Sequence, residues 1–151
     1  MRLVLQRVSE ARVTVEGVTV GSIPKGLVIL AGMARTDTQT EVDYLSDKVL
    51  GLRIFPDESG KMNLSVVEAG GSLLVISQFT LYGDVRKGRR PSFDDAAGPE
   101  QARDLYACLV ERLRLGPVPV ETGVFQATME VHLVNQGPVT ILMDTADRKK
   151  K

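Results

Sequence analysis

Two segments far apart in the chain could do chemistry: Ser77-Gln78-Phe79-Thr80-Leu81-Tyr82 and Asn135-Gln136-Gly137-Pro138-Val139-Thr140. Each sets hydroxyl, amide or small residues at the end of an apolar, strand-like run, where backbone donors and acceptors can be aimed at a ligand instead of being used up in a sheet ladder. Neither contains a Cys, a His or a pair of carboxylates. An enzyme built on them would work through positioned backbone groups and through the substrate itself, without a side-chain triad. In the first segment, Gln78 and Thr80 alternate with Phe79 and Leu81, so strand geometry would present an amide and a hydroxyl together while the other face anchors in the core. The same residues also read as the polar end of an ordinary strand. Thr80 could be a nucleophile, but no base is visible to take its proton, which disfavours covalent catalysis. In the second segment, Gly137 lets main chain come close to another molecule, and an X-Pro bond can lock in the cis form and turn two successive carbonyls the same way. Such a side-chain-free wall would distinguish ligands by shape at the α-carbon; a plain hairpin turn is the other reading.

The remaining chemical residues fit structural roles. His132 shares parity with Glu130 and opposes Met129, Val131 and Leu133, which makes it a sheet-surface residue rather than a base. Cys108 lies beside the apolar stripe of a helix and behaves as a small hydrophobe. One Cys and one His do not make a zinc set, so no metal and no cofactor is expected. Asp57-Glu58 and Asp94-Asp95 are turn caps. Gly70-Gly71 lacks the spacing of a phosphate loop. Lys plus Arg and Asp plus Glu both number 19, so there is no global cationic field and no expectation of long DNA as a partner. Nucleic-acid contact has to be local, at Arg86, Lys87, Arg89 and Arg90 around Gly88, or at the terminal run from Arg148 to Lys151, which reads as a solvated tail.

A chain of 151 residues, 43% hydrophobic and 25% charged, suits one globular domain over 1–151 with a flexible basic tail from 146 to 151. Its apolar runs are too short to span a bilayer, and Arg2, Gln6 and Arg7 interrupt any signal-peptide pattern, so no membrane partner and a cytoplasmic location are expected. The lone cysteine agrees with a reducing compartment.

Alternation from Leu3 to Val15, a turn at Glu16-Gly17 and a run from Val18 to Ile23 predict a hairpin. Leu27 to Ala31 is apolar on both faces and predicts a central strand covered by helices. Thr38 or Thr40 can cap a helix carrying Val42, Leu45, Val49, Leu50 and Leu52, and Pro99-Glu100 opens a second through Ala102, Leu105, Tyr106, Leu109, Val110 and Leu113. Leu73 to Phe79, Val118 to Glu121, Ala127 to Val134 and Val139 to Met143 read as further strands, the last two separated by a turn at Asn135 to Pro138. The expected fold is α/β: one compact domain with a mostly antiparallel or mixed, barrel-like sheet and two main helices. Two helices leave sheet surface uncovered, and a homodimer is the most economical cover.

At these residues the chain resembles the D-aminoacyl-tRNA deacylases of the bacterial and eukaryotic type. The likeness spans nearly the whole chain: Gln6-Arg7-Val8, Val13-Thr14-Val15, Leu52-Arg53-Ile54-Phe55, Gly60 to Ser65, Ser77 to Leu81, Lys87 to Phe93, and Asn135 with Gly137 to Thr140. The resemblance implies a homodimer that hydrolyses the ester joining a D-amino acid, or glycine, to the terminal adenosine of tRNA. It implies that the Ser77 to Leu81 segment of one subunit meets Gly137-Pro138 of the other, whose cis carbonyls receive the α-amino group and exclude an L side chain. It places Ser77, Gln78, Phe79 and Thr80 at the scissile ester, Phe125 and Met129 in an adenosine pocket, and Arg86, Lys87, Arg89 and Arg90 on tRNA. Gln126 stands where the family usually has glycine, and Gln136 where it usually has aspartate, which bears on the shape of the pocket and on the turn's hydrogen bonding. Two other readings compete: a non-catalytic tRNA-binding dimer using the Arg86 to Arg90 loop, and an ester hydrolase with Thr80 as nucleophile.

Overall fold

A computed structural model describes residues 1–148. Its organising element is the long strand β1 (Arg2–Val15), which folds back through Glu16 and Gly17, both at positive φ, into β2 (Val18–Ile23). β1 also pairs antiparallel with β3 (Gly26–Gly32), and β3 continues in parallel to β6 (Ser72–Ser77) and then β7 (Val120–Thr122). A two-stranded pair, β4 (Phe55–Pro56) and β5 (Met62–Leu64), stands apart. The last strand, β8 (Glu130–Asp144), runs antiparallel along nearly the full length of β1. The N-terminal half of β1 therefore lies between β3 and β8, and its C-terminal half between β2 and β8, which curls the sheet until β2 meets β6 and β7. The result is a nearly closed, barrel-like mixed sheet with two helices, as the alternation and the helical spacing predict.

A change of parity in β1 feeds two cores. Leu3 and Leu5 face the helices, whereas Val8, Ala11 and Val13 all face the barrel interior. The switch falls where two steps along β1, Val8 to Glu10, oppose one along β8, Asn135 to Val134, the geometry of a bulge. β3 is covered by helices on one face only. Leu27 and Ile29 pack under the helices, while Val28 joins Leu74 and Ile76 inside the barrel, so the sheet's own curl covers the second face.

Thr38 is the cap of α1 (Gln39–Gly51), in a box where its backbone N–H donates to Glu41 Oε2 at 2.8 Å and the Thr40 N–H donates to Thr38 Oγ1 at 3.3 Å. Pro99 opens α2 (Pro99–Arg114), which buries Ala102, Leu105, Tyr106, Leu109, Val110 and Leu113. The segments expected as two closing strands with a turn between them are one strand. Thr140 pairs with Gln6 and Asn135 with Val8, so Gln136 to Val139 bulge out opposite Arg7 without reversing direction. Both halves of β8 hold the same neighbour in the same sense, which a hairpin turn could not allow. Of the segment expected as a basic tail, Ala146 and Asp147 lie in a 3-10 turn and the Arg148 guanidinium sits 4.7 Å from the centre of the Tyr44 ring; Lys149 to Lys151 lie outside the described residues. Among the described residues no helix is long and apolar enough to cross a membrane.

Tyr106 ties α2 to the sheet by donating its hydroxyl to Val75 O at 2.8 Å. Burial pushes this phenol up to about 12. Tyr106→Phe is expected to cost about 1 kcal/mol, because Val75 O keeps the Gly123 N–H as a donor. Above the ordinary tyrosine value of about 10 the unfolded chain loses this proton while the folded protein keeps it, so stability falls with rising pH from there toward about 12. Urea titrations near neutrality and in the alkaline range check both: the alkaline fall is shallower in Tyr106→Phe.

Candidate active site

β6 ends at Ser77 because Gln78 makes the last ladder bond, its N–H to Ala31 O at 2.8 Å, and the chain then tightens into a 3-10 turn over Phe79–Tyr82. Gly32 makes room for that turn: a β-carbon there would lie 2.9 Å from Gln78 O and 3.1 Å from Leu81 Cβ. The far end of the turn is pinned by Arg2, which donates from Nη1 to Leu81 O at 2.9 Å, stacks 4.5 Å from the centre of the Tyr82 ring and donates from Nε to Asp144 Oδ2 at 2.6 Å. Burial pushes the Asp144 carboxyl up, but hydrogen bonds from Arg2 and the Ala146 amide outweigh it and hold the group below its ordinary value.

The turn corrects the expectation for Phe79. In a continuing strand it would point into the core; in a 3-10 turn the period of two is lost, and Phe79 is 57% exposed with its ring edge-on to Phe93 at 5.1 Å. Gln78 and Thr80 do come together, the Gln78 side-chain amide donating to Thr80 Oγ1.

Ser77, Gln78 and Phe79 form one wall of a cavity of about 630 Å³. Pro99 and Ala102 of α2 line it from a second side, and Phe125, Gln126 and Met129, from the segment before β8, from a third. Ala31, Ala97 and Ala127 keep its floor small-sided, and none of its lining residues is titratable. The volume and the mix of apolar walls with a few polar groups suit a small, flat ligand. Phe125 is held by the Tyr106 ring at 5.7 Å and by the Arg103 guanidinium at 5.7 Å from the ring centre. The structure thus joins five of the predicted residues, Ser77, Gln78, Phe79, Phe125 and Met129.

Thr80, Gly137 and Pro138 lie outside the walls of this cavity. The Gly137-Pro138 bond is cis, and Gly137 takes φ +143. Two side chains fix this bulge. Asn135 accepts the Val139 N–H at 2.7 Å and donates to Val139 O at 3.1 Å, and Arg7 donates from Nε to Gln136 O at 2.9 Å while its Nη1 reaches Ile54 O at 2.7 Å. Position 136 takes part through its main-chain carbonyl, so glutamine serves that contact as well as aspartate. Gly137 and Pro138 themselves are exposed.

The basic loop is closed at its base by the Asp84 and Ser92 backbones, bonded at 2.7 and 2.9 Å. Arg86 turns back on Asp84 at 2.6 Å, and its hydrogen bonds and charge hold that carboxyl at about 2. Arg86 is therefore already paired, whereas Lys87, Arg89 and Arg90 are exposed without an ion-pair partner among the described residues. His132 lies on the sheet surface between Arg12 and Glu130, and Cys108 is a free, half-buried thiol. Gly32 and Arg103 were not singled out by the sequence, and Pro99 was read only as a helix opener: their parts in the site depend on approaches between elements that no local pattern records.

The model of the D-Tyr-tRNA(Tyr) deacylase family matches residues 4–144. The D-aminoacyl-tRNA deacylase of Solibacter usitatus is 64% identical over 151 residues, with both chains covered completely, and that of Symbiobacterium thermophilum is 62% identical over 145 residues, 96% of each. A solved structure described as c-Myc DNA Unwinding Element Binding Protein superposes with a TM-score of 0.90 at 42% identity, covering 95% of this chain and 98% of that one. A probable eukaryotic D-amino acid tRNA deacylase shares the fold, with a TM-score of 0.78 at 19% identity over 94% of this chain and 97% of its own. With its motifs, fold and family match in agreement along the whole length, the chain belongs to the D-Tyr-tRNA(Tyr) deacylase family, the D-aminoacyl-tRNA deacylases, which are hydrolases.

Proposed function

We propose that this chain hydrolyses the ester between a D-amino acid and the terminal adenosine of tRNA, as a proofreading step in translation that also accepts the achiral glycyl ester. The observation that carries the proposal is the cavity itself: Ser77, Gln78 and Phe79 face Phe125 and Met129 across a space with no titratable side chain on its walls. An aminoacyl ester is already activated, so the protein's task is orientation and stabilisation of the developing oxyanion. The amides of Phe79 and Thr80 open the 3-10 turn and have no acceptor within it, which leaves them available for that oxyanion. The Gln78–Thr80 pair holds or polarises the ester, and the ribose hydroxyl beside it assists the attacking water.

In this reading the enzyme is a cytoplasmic, one-domain homodimer. Gly137-Pro138 of one copy enters the cavity of the other, its carbonyls receive the substrate's α-amino group, and its unyielding main chain clashes with an L side chain. Exposed Phe79, Val131, Val134 and Leu142 supply apolar surface for such a contact. Lys87, Arg89 and Arg90 meet tRNA phosphates beyond Phe93, with Arg86 held back by Asp84.

The test is hydrolysis of D-tyrosyl-tRNA against L-tyrosyl-tRNA, with the D ester cleaved and the L ester spared. Equal rates on both, or no hydrolysis of the D ester, overturn the proposal, and salt-sensitive tRNA binding indifferent to the amino acid would favour a non-catalytic dimer. Cys108→Ala and His132→Ala are expected to stay within about twofold of the wild-type rate. A covalent adduct on Thr80 by mass spectrometry would instead establish a nucleophilic mechanism.

A further inference from the structure

One cation stands on the rim of the cavity, outside the catalytic scheme just described. Arg103 is exposed on α2, directly after the wall residue Ala102. Its guanidinium lies against the Phe125 ring, and Nη2 donates to Gln126 Oε1 at 3.1 Å. Both partners belong to the cavity wall. Gln126 holds its backbone at φ +67, a left-handed conformation disfavoured by its β-carbon, and from there its side-chain oxygen accepts from Arg103. No carboxylate lies within ion-pair distance of Arg103 among the described residues. A guanidinium carries five donors in a planar fork, and one of them is engaged here. Phe125 and Gln126 therefore pre-orient an uncompensated charge whose other donors are unspent.

We infer that Arg103 binds a phosphodiester of the substrate's own acceptor strand where that strand leaves the cavity, which rests on reading the cavity as the seat of the terminal adenosine. A nucleoside in an apolar, ring-lined space must lead its 5′ oxygen back toward solvent, and the first group it brings there is a phosphate. Arginine suits that group because the fork matches two phosphate oxygens. The contact reads no base, so it adds affinity for any tRNA end without choosing among tRNAs.

The experiment compares Arg103→Ala with wild type on two substrates, D-tyrosyl-tRNA and the 3′-D-tyrosyl ester of adenosine, which has no phosphate. The ratio of kcat/KM on tRNA to kcat/KM on the adenosine ester is expected to fall about tenfold, chiefly through KM on tRNA. The slope of log kcat/KM on tRNA against log salt is expected to become shallower by about 0.7, the value for one phosphate on a single strand. Arg103→Lys should recover part of both effects, since the charge returns without the fork. An unchanged ratio together with an unchanged salt slope overturns the inference, as does an equal loss on both substrates, which would make Arg103 only a prop for Phe125. Wild-type protein inactive on both esters would refute the deacylase reading itself, a separate outcome.

Discussion

Gly137→Ala is expected to lower hydrolysis of D-tyrosyl-tRNA by about 100-fold, the penalty that a misplacement near 1 Å can bring, while leaving the protein folded. A β-carbon on Gly137 would lie 2.7 Å from Val139 Cγ2, 3.0 Å from Val139 N and 3.1 Å from Arg7 Nη2. The residue also sits at φ +143, where an L side chain is strained whatever the space around it. Something must move, and the groups in the way belong to the two clamps on the bulge, Asn135 to Val139 and Arg7 to Gln136. The rest of the fold is insulated, because β8 keeps its pairing to β1 on both sides of the bulge. Rates on D- and L-tyrosyl-tRNA together with thermal melts decide the matter. A folded alanine variant with the wild-type rate and the wild-type preference for the D ester would show that main chain at this corner does not read handedness.

What could be read beforehand divides along a physical line. Local patterns served well: the apolar spacing of both helices, the Thr38 cap, the Pro99 opening and the Glu16-Gly17 turn each depend on neighbours a few residues away. Patterns that local signals contradict did not. Gly137-Pro138 carries the signature of a turn, yet β1 holds both flanks in line and turns the same residues into a bulge. Alternation through Phe79 fits a strand, and only the missing side chain at Gly32, on a different strand, allows the backbone to tighten into a 3-10 turn instead. The site shows the same division. Ser77 and Gln78 were visible as a polar strand end; Phe125 and Met129 were placed only through family resemblance; and Arg103 gave no signal, since its position depends on a left-handed Gln126 more than twenty residues later in the chain.

Asp37→Ala is expected to cost about 3–5 kcal/mol, because it would leave a buried ammonium without its counter-charge. The Met1 ammonium donates to Asp37 Oδ1 at 2.6 Å, and the two side chains are 0% and 4% exposed. Asp37 Oδ2 also accepts the Ala34 N–H at 2.6 Å, so the substitution strands a backbone donor as well. Thr145 Oγ1, 2.7 Å from the ammonium, would remain as a neutral partner, too weak to replace a carboxylate. Asp37→Asn keeps the shape and an acceptor and should fall between the alanine variant and wild type. For a chain of this length the alanine variant's melting temperature should drop on the order of 10 °C. The exposed pair of Arg112 and Asp43, 3.6 Å apart, is the internal comparison: Asp43→Ala should cost less than about 1 kcal/mol, since water already screens that contact. Equal losses for Asp37→Ala and Asp43→Ala in urea titrations would show that burial does not govern the first pair. The loss at Asp37 should also reach the cavity, because Met1 adjoins Arg2, and Arg2 is the residue that holds Leu81 at the end of the turn bearing Phe79 and Thr80.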